Sequence, residues 1–187
     1  MESKENKAPR QERCKMGDYK KQRKKFTTPK HPWQKERIEA EKETLKQYGL
    51  RRKYETWKMD STLKKFLHRA KTIIGERTQQ SELEKKQLLE RLYLLGLLKK
   101  DSKVEDILNL TLKNILERRL QTLICRRQMA KTMRQARQFI THEHIAVGSK
   151  KITNPSYLVS IEEEPHIKMV HAIQITNNPK EQKAEKA

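Results

Sequence analysis

Between Arg118 and Ile140 the chain carries seven cations, namely Arg118, Arg119, Arg126, Arg127, Lys131, Arg134 and Arg137, and no carboxylate. Arginine dominates, and its planar fork pairs with phosphate oxygens two at a time. Two helical patterns converge there, and the Lys131-Thr132 junction adds helix N-terminal amides, a second kind of anion site. So dense a run of one sign repels itself unless an anion sits on it. Phosphate binding is therefore the first chemistry to consider, with RNA as the first ligand.

Other reactive side chains give little. His142 and His144 flank a helix end inside this basic stretch, where they suit phosphate contact or carbonyl capping. Glu143 between them does not complete a catalytic set. Glu82, Glu84, Glu105 and Glu117 are explained by helix caps and dipoles. None of the patterns GxxxxGK[ST], GxGxxG, HExxH or GxSxG occurs, and five glycines leave no obvious phosphate-cradling loop. Cys14 and Cys125 are far apart and form no CxxC pair, so they read as reduced thiols. No catalytic residue, metal ligand or cofactor is assigned, and the expectation is a non-enzyme.

Composition agrees with a polyanionic partner. The 187 residues include 44 Lys+Arg against 24 Asp+Glu, a formal net charge of +20, and only 34% are hydrophobic. No basic helix pairs with a Trp/Phe-rich face, which weakens a membrane-surface reading. No apolar run reaches the ~20 residues of a membrane span, and the charged first twenty residues do not resemble a signal peptide. A cytoplasmic protein is expected.

The elements that must position the basic stretch form an α+β chain, mostly helical. Residues 1–37 hold thirteen Lys/Arg against five Asp/Glu and few large aliphatics, so they read as a basic arm, partly disordered alone. Residues 1–15 suggest a solvated tail. In residues 17–33, Lys20, Lys21, Arg23, Lys24 and Lys25 interleave with Tyr19, Phe26 and Trp33, offering phosphate contacts and stacking faces for RNA. Residues 38–110 read as a helical body. A first helix runs over 33–48 and stops at Gly49. Ser61 would cap a helix over 62–74, with Leu63, Phe66, Leu67, Ala70, Ile73 and Ile74 inward. Ser81 with Glu84 and Ser102 with Glu105 form capping boxes before the leucine stripes Leu83–Leu95 and Val104–Leu110. The cations on these earlier helices fit a solvated face as well as an RNA contact.

Residues 111–164 read as the RNA-binding unit. One helix is expected over 112–127, and Thr132 with Gln135 opens a second that runs to His142. Ile145 and Val147 begin a hairpin whose Gly148-Ser149 turn suits type II′. Residues 150–153 return, and 157–161 supply a third strand. Glu162–Glu164 would mark an edge of the basic face. Residues 165–187 form a C-terminal extension and polar tail.

Arg119-Leu120, Leu123, Ala130-Lys131-Thr132, Ala136-Arg137-Gln138, Ile140, His144-Ile145, Val147 and Pro155-Ser156-Tyr157 resemble the RNA-binding domain of the S-four family of small ribosomal subunit proteins. That domain also occurs on other RNA-binding proteins and enzymes, so the flanks matter. Pro29, Pro32-Trp33, Arg37, Glu43, Tyr48-Gly49-Leu50, Trp57-Lys58-Met59, Leu92-Tyr93 and Leu95-Gly96-Leu97-Leu98 look like the archaeal and eukaryotic branch of the ribosomal protein. The basic 17–25 opening and short C-terminus are closer to the archaeal form. Met16-Gly17-Asp18 resembles the family's usual start, making residues 1–15 an extra arm or a different start.

The resemblance implies two helices and a small antiparallel sheet presenting a basic face to structured RNA. It implies binding to the five-prime domain of small-subunit rRNA, a nucleating role in assembly and a contribution to translational accuracy. Its implied partners are that rRNA, neighbouring small-subunit proteins and mRNA near the entry channel, with no membrane and no homo-oligomer. The expected RNA contacts are Arg118, Arg119, Arg126, Arg127, Lys131, Arg134, Arg137, His144 and Lys150, with Lys20, Lys21, Arg23, Lys24, Lys25 and Trp33 on the arm. An assembly factor or stress-response RNA binder using the same domain is the alternative, and a catalytic RNA-modifying enzyme ranks third. Three departures stand out. Gln128 and Glu143 occupy places where the family often has glycine, which implies a weaker free domain or helix ends rebuilt without a left-handed turn. Gly148-Ser149 replaces a common Asn-Gly, and Cys14 alone cannot form the zinc-binding cysteine cluster of some members.

Overall fold

In the computed structural model residues 24–76 and 78–170 are described. The tail readings for residues 1–15 and beyond 177, and the readings for Tyr19, Lys20, Lys21 and Arg23, lie outside them. Among the described residues seven α-helices precede and frame a small sheet, a mostly helical α+β arrangement. The helices are α1 (Lys35–Gln47), α2 (Lys53–Gly75), α3 (Gln79–Leu94), α4 (Val104–Ile107), α5 (Leu112–Glu117), α6 (Leu120–Arg126) and α7 (Met133–Thr141). The strands are β1 (Ile145–Val147), β2 (Lys150–Lys151) and β3 (Ile167–Met169), in the order β2-β1-β3 and antiparallel throughout.

Burial divides into two clusters. Tyr48, Met59, Phe66, Ala70, Leu92, Ile107, Ile115 and Leu116 belong to the first, built by α1 to α5. Leu120, Ile124, Ala136, Phe139, Ile140, Ile145, Val159 and Ile167 belong to the second, built by α6, α7 and the sheet. Each fully buried Leu or Ile contributes roughly 1.5–3 kcal/mol of transfer free energy, which is why these stripes define the elements. Ile74, Leu83 and Leu108 fall outside both clusters and are exposed, although periodicity places them inward.

Several boundaries differ from expectation, each for a physical reason. Nothing between Lys53 and Gly75 interrupts α2, so Ser61 lies mid-helix; its buried hydroxyl accepts the Thr27 amide at 3.1 Å instead of capping. Thr78 caps α3: its Oγ1 accepts the Ser81 amide and Ser81 Oγ accepts the Thr78 amide, both at 3.2 Å. Ser81 is thus the last residue of the box rather than its first. At α4 the Lys103 amide donates to Asp106 Oδ2 at 2.8 Å, one residue beyond the expected pair. The third strand is Ile167–Met169, which pairs along the open edge of β1; Leu158, in the segment expected to be that strand, forms only an isolated bridge with Arg119. The hairpin turn is as expected: Val147 pairs with Lys150, and Gly148 takes φ +61° while Ser149 is not left-handed.

Four helices end in the same motif. At α1, α3, α6 and α7 the residue after the cap is left-handed, being Gly49 (φ +58°), Gly96 (+68°), Gln128 (+59°) and Glu143 (+61°). In each, the next amide reaches back to the third-last helical carbonyl: Leu50 to Leu45, Leu97 to Leu92, Met129 to Ile124 and His144 to Phe139, at 2.9–3.1 Å. Gln128 and Glu143 therefore keep the turn that glycine usually serves. The expectation of helix ends rebuilt without it does not hold.

Candidate nucleic-acid interface

The helix expected over 112–127 breaks at Arg118-Arg119. Arg119 is extended (φ −72°, ψ 141°) because its backbone is drawn into a bridge with Leu158. The Leu120 amide donates to the Tyr157 carbonyl at 2.8 Å, and the Val159 amide to the Arg118 carbonyl at 3.1 Å. The break turns Arg119 inward, where it is 1% exposed. One Nη2 donates to Glu55 Oε2 at 3.1 Å and to Ser156 Oγ at 3.2 Å. Arg137 reaches the same carboxylate with both terminal nitrogens, at 3.1 and 3.2 Å. Burial pushes the Glu55 carboxyl up, but the hydrogen bonds from Arg137 and then Arg119 outweigh it and hold it below the usual range. Arg119 is therefore removed from the set of phosphate contacts: its counter-ion is internal and no solvent-borne phosphate reaches it.

Other acids are likewise recruited from outside the stretch. Glu164 accepts Arg118 Nη1 at 2.8 Å and pairs with Arg127 at 3.4 Å. Burial opposes its ionisation, and the two guanidiniums more than offset that, so its carboxyl also titrates low. Arg118 Nη2 further donates to the Val159 carbonyl at 3.2 Å. Glu164 thus sits among the arginines rather than at their margin. Arg126 pairs with Glu117 at 3.2 Å, both side chains more than half exposed. Such a surface pair contributes roughly 0–1 kcal/mol, so a phosphate can displace it at little cost. Of the six arginines from 118 to 137, only Arg134 makes no ion pair among the described residues.

Arg134 and Lys131 are exposed at the start of α7. Thr132 Oγ1 accepts the Gln135 amide at 3.2 Å, the cap expected of it, while Gln135 Oε1 accepts the amide of Lys131, one residue before the cap, at 2.9 Å instead of closing a capping box. Lys150 is exposed on β2. His144 is half-buried, edge-on to Phe139 at 6.0 Å and 6.3 Å from the His142 ring.

The arm divides its aromatics. Phe26 stacks on Tyr54 at 6.1 Å and leans on Trp57 at 6.0 Å, so it anchors the arm to α2 instead of offering RNA a face. Arg37 donates to the carbonyls of His31 and Pro32 at 2.9 and 3.0 Å and to Glu41, whose Oε1 also accepts Trp57 Nε1 at 3.0 Å. On this pinned loop Trp33 is 89% exposed. Lys24 and Lys25 are exposed as well.

Glu55 and Gln121 are the residues holding this face in place that periodicity missed. Glu55 had a signal: it lies in register with Met59, Leu63, Phe66, Ala70 and Ile73, and a carboxylate on an apolar stripe demands a buried cation. Gln121, wholly buried, donates to the Gly49 carbonyl at 3.2 Å and the Met133 carbonyl at 2.8 Å, and nothing in its neighbourhood announces that. Among the described residues no group of three or more potential metal ligands occurs, and no helix is long and apolar enough to cross a membrane.

Residues 118–164 match the family described as the S4 domain. The small ribosomal subunit protein uS4 of Saccharolobus solfataricus is 49% identical over 150 residues, covering 80% of this chain and 83% of that protein. The uS4 protein of Hyperthermus butylicus is 47% identical over 149 residues, covering 80% and 85%. That of Saccharolobus islandicus is 47% identical over 150 residues, covering 80% and 83%. With identity at this level across four-fifths of its length, the chain belongs to the uS4 family of small ribosomal subunit proteins, in its archaeal form.

Proposed function

We propose that this chain is a structural, non-catalytic constituent of the small ribosomal subunit that binds small-subunit rRNA. The observation that carries this is the four-fifths-length similarity to proteins named for that subunit, in a chain of net charge +20. The finer reading is binding to the five-prime domain of the rRNA, early in assembly, with a later position near the mRNA entry channel that affects decoding accuracy. Its neighbours there are other small-subunit proteins, and its place is the cytoplasm. The phosphate-contacting set is Arg134, Lys131, Lys150 and the displaceable Arg126, helped by Arg127, Arg137 and His144 where their outer atoms are accessible. Lys24, Lys25 and Trp33 form the arm's contribution, continued by Lys20, Lys21 and Arg23. Arg118 and Arg119 act behind this face by fixing its geometry.

Counterion release from ~6–10 phosphates makes affinity fall by ~10³–10⁵ between 50 and 200 mM salt. Sedimentation of ribosomal particles is the deciding experiment. Stoichiometric presence in mature small subunits is the expected result. Enrichment confined to precursor particles would replace this reading with that of an assembly factor.

A further inference from the structure

We infer that the cleft between the end of α1 and the start of α7 grips one RNA backbone strand, with Lys46 and Arg134 facing the same phosphate from opposite walls. The inference rests on the RNA-binding reading and adds to it a contact from the helical body. The cleft has a volume of about 420 Å³; Lys46 and Gly49, with two leucines, line one side, and residues 132–134 line the other. Lys46 and Arg134 are both exposed and neither makes an ion pair among the described residues. No carboxylate lines the cleft. Every other arginine in the 118–137 stretch already has a carboxylate partner among the described residues, so Arg134 is the one that meets a phosphate without giving up an internal ion pair. Two exposed cations on facing walls repel one another in the unbound protein, and a phosphate between them relieves that repulsion.

The walls are held at one separation. Gly49 is left-handed, and a Cβ there would lie 2.5 Å from Met133 Cβ, so only glycine lets α1 approach α7 this closely. The Gln121 amide ties the two sides by donating to the carbonyls of both Gly49 and Met133. The Lys46 and Arg134 side chains are thus borne on a rigid frame, which lowers the ordering cost of binding. The amides of residues 133 and 134 precede the nine-residue helix's own acceptors and add the same sign of potential. Cations and no aromatic ring line the cleft, which selects backbone over base.

The test is binding of the full chain to small-subunit rRNA across a salt series. Lys46→Glu is expected to weaken binding roughly tenfold or more, the size of one charge-assisted contact. It should also lower the salt slope by about one. Arg134→Glu should do the same, and the double variant should lose less than the product of the two, because one phosphate is shared. Lys86→Glu on α3 makes the same charge change outside the cleft and is the control. If Lys46→Glu matches Lys86→Glu while Arg134→Glu weakens binding, the cleft inference is overturned and the RNA reading stands. If Lys46→Glu and Arg134→Glu both bind like the unmodified chain, the cleft inference is overturned and the RNA reading stands; only an unmodified chain that does not bind the rRNA overturns both. Lys46→Ala, with no reversed charge to disturb the fold, should show the same loss of slope; an unchanged slope would overturn the inference. Strong competition by millimolar inorganic phosphate at constant ionic strength would mean a free-anion site and would likewise overturn it.

Discussion

Arg119 Nη2 lies 3.1 Å from Glu55 Oε2, a contact between residues 64 positions apart that is closed to solvent on both sides. Glu55 belongs to the body and Arg119 to the basic unit, so the pair fastens one to the other, and Arg137 closes the same carboxylate from the rim.

Removing the charge from Glu55 while keeping its shape strands a buried guanidinium. Glu55→Gln should destabilise the fold by about 3–5 kcal/mol, read from urea unfolding. An effect below about 1 kcal/mol would show that the pair is dispensable.

The same carboxylate sets an acid response. Its pKa is lower folded than unfolded, so its stabilising contribution is fully present above the ordinary value of 4.5 and is lost as pH falls through the folded value. Glu164 behaves alike. Urea unfolding at descending pH should therefore show the difference between the unmodified chain and Glu55→Gln shrinking below about pH 4.5. A difference that stayed constant would contradict the low carboxyl pKa.

At the helix ends, two opposite responses to one residue type are expected. Gln128→Gly and Glu143→Gly relieve roughly 1–2 kcal/mol of left-handed strain but add unfolded-state entropy of roughly 0.5–1 kcal/mol. The net should be a gain of up to about 1 kcal/mol each. Gly49→Ala should cost about 2–4 kcal/mol, since it adds that strain and drives a Cβ against Met133 Cβ. Gly96→Ala meets the guanidinium of Arg118, a softer neighbour, and should cost less. Thermal melts of the four variants check the ranking.

Trp33 and Phe26 should separate binding from stability. Trp33→Ala should leave stability within about 0.5 kcal/mol yet weaken rRNA binding by roughly 1–3 kcal/mol, the worth of one stacked base. Trp33→Phe should retain most of that affinity. Phe26→Ala should loosen the arm, seen as faster hydrogen exchange at Thr27.

Inward stripes on α2, α3 and α7, the Thr132 cap and the Gly148 hairpin were legible because each depends on residues within one or two turns of chain. What escaped depends on distant partners. Nothing local stops a helix at Arg118-Arg119, where Leu116, Leu120 and Leu123 continue the apolar period; only the bridge to Leu158 does. Ile167–Met169 is too short to read as a strand until β1 offers its free edge. By count alone the seven cations are a surface awaiting RNA, whereas Glu55, Glu117 and Glu164, from outside the stretch, pair with five of the arginines and offset three of their charges. Charge-counting within a window cannot see carboxylates that the fold delivers.

The carboxylate on α2 also has a consequence for synthesis. Arg119 follows Glu55 by 64 positions, which at ~5–20 residues per second is roughly 3–13 s of translation. Throughout that interval the emerging body carries an unpaired acid on an otherwise apolar helix stripe. Closing that stripe before the basic unit is made would bury a carboxylate without its cation, which costs free energy.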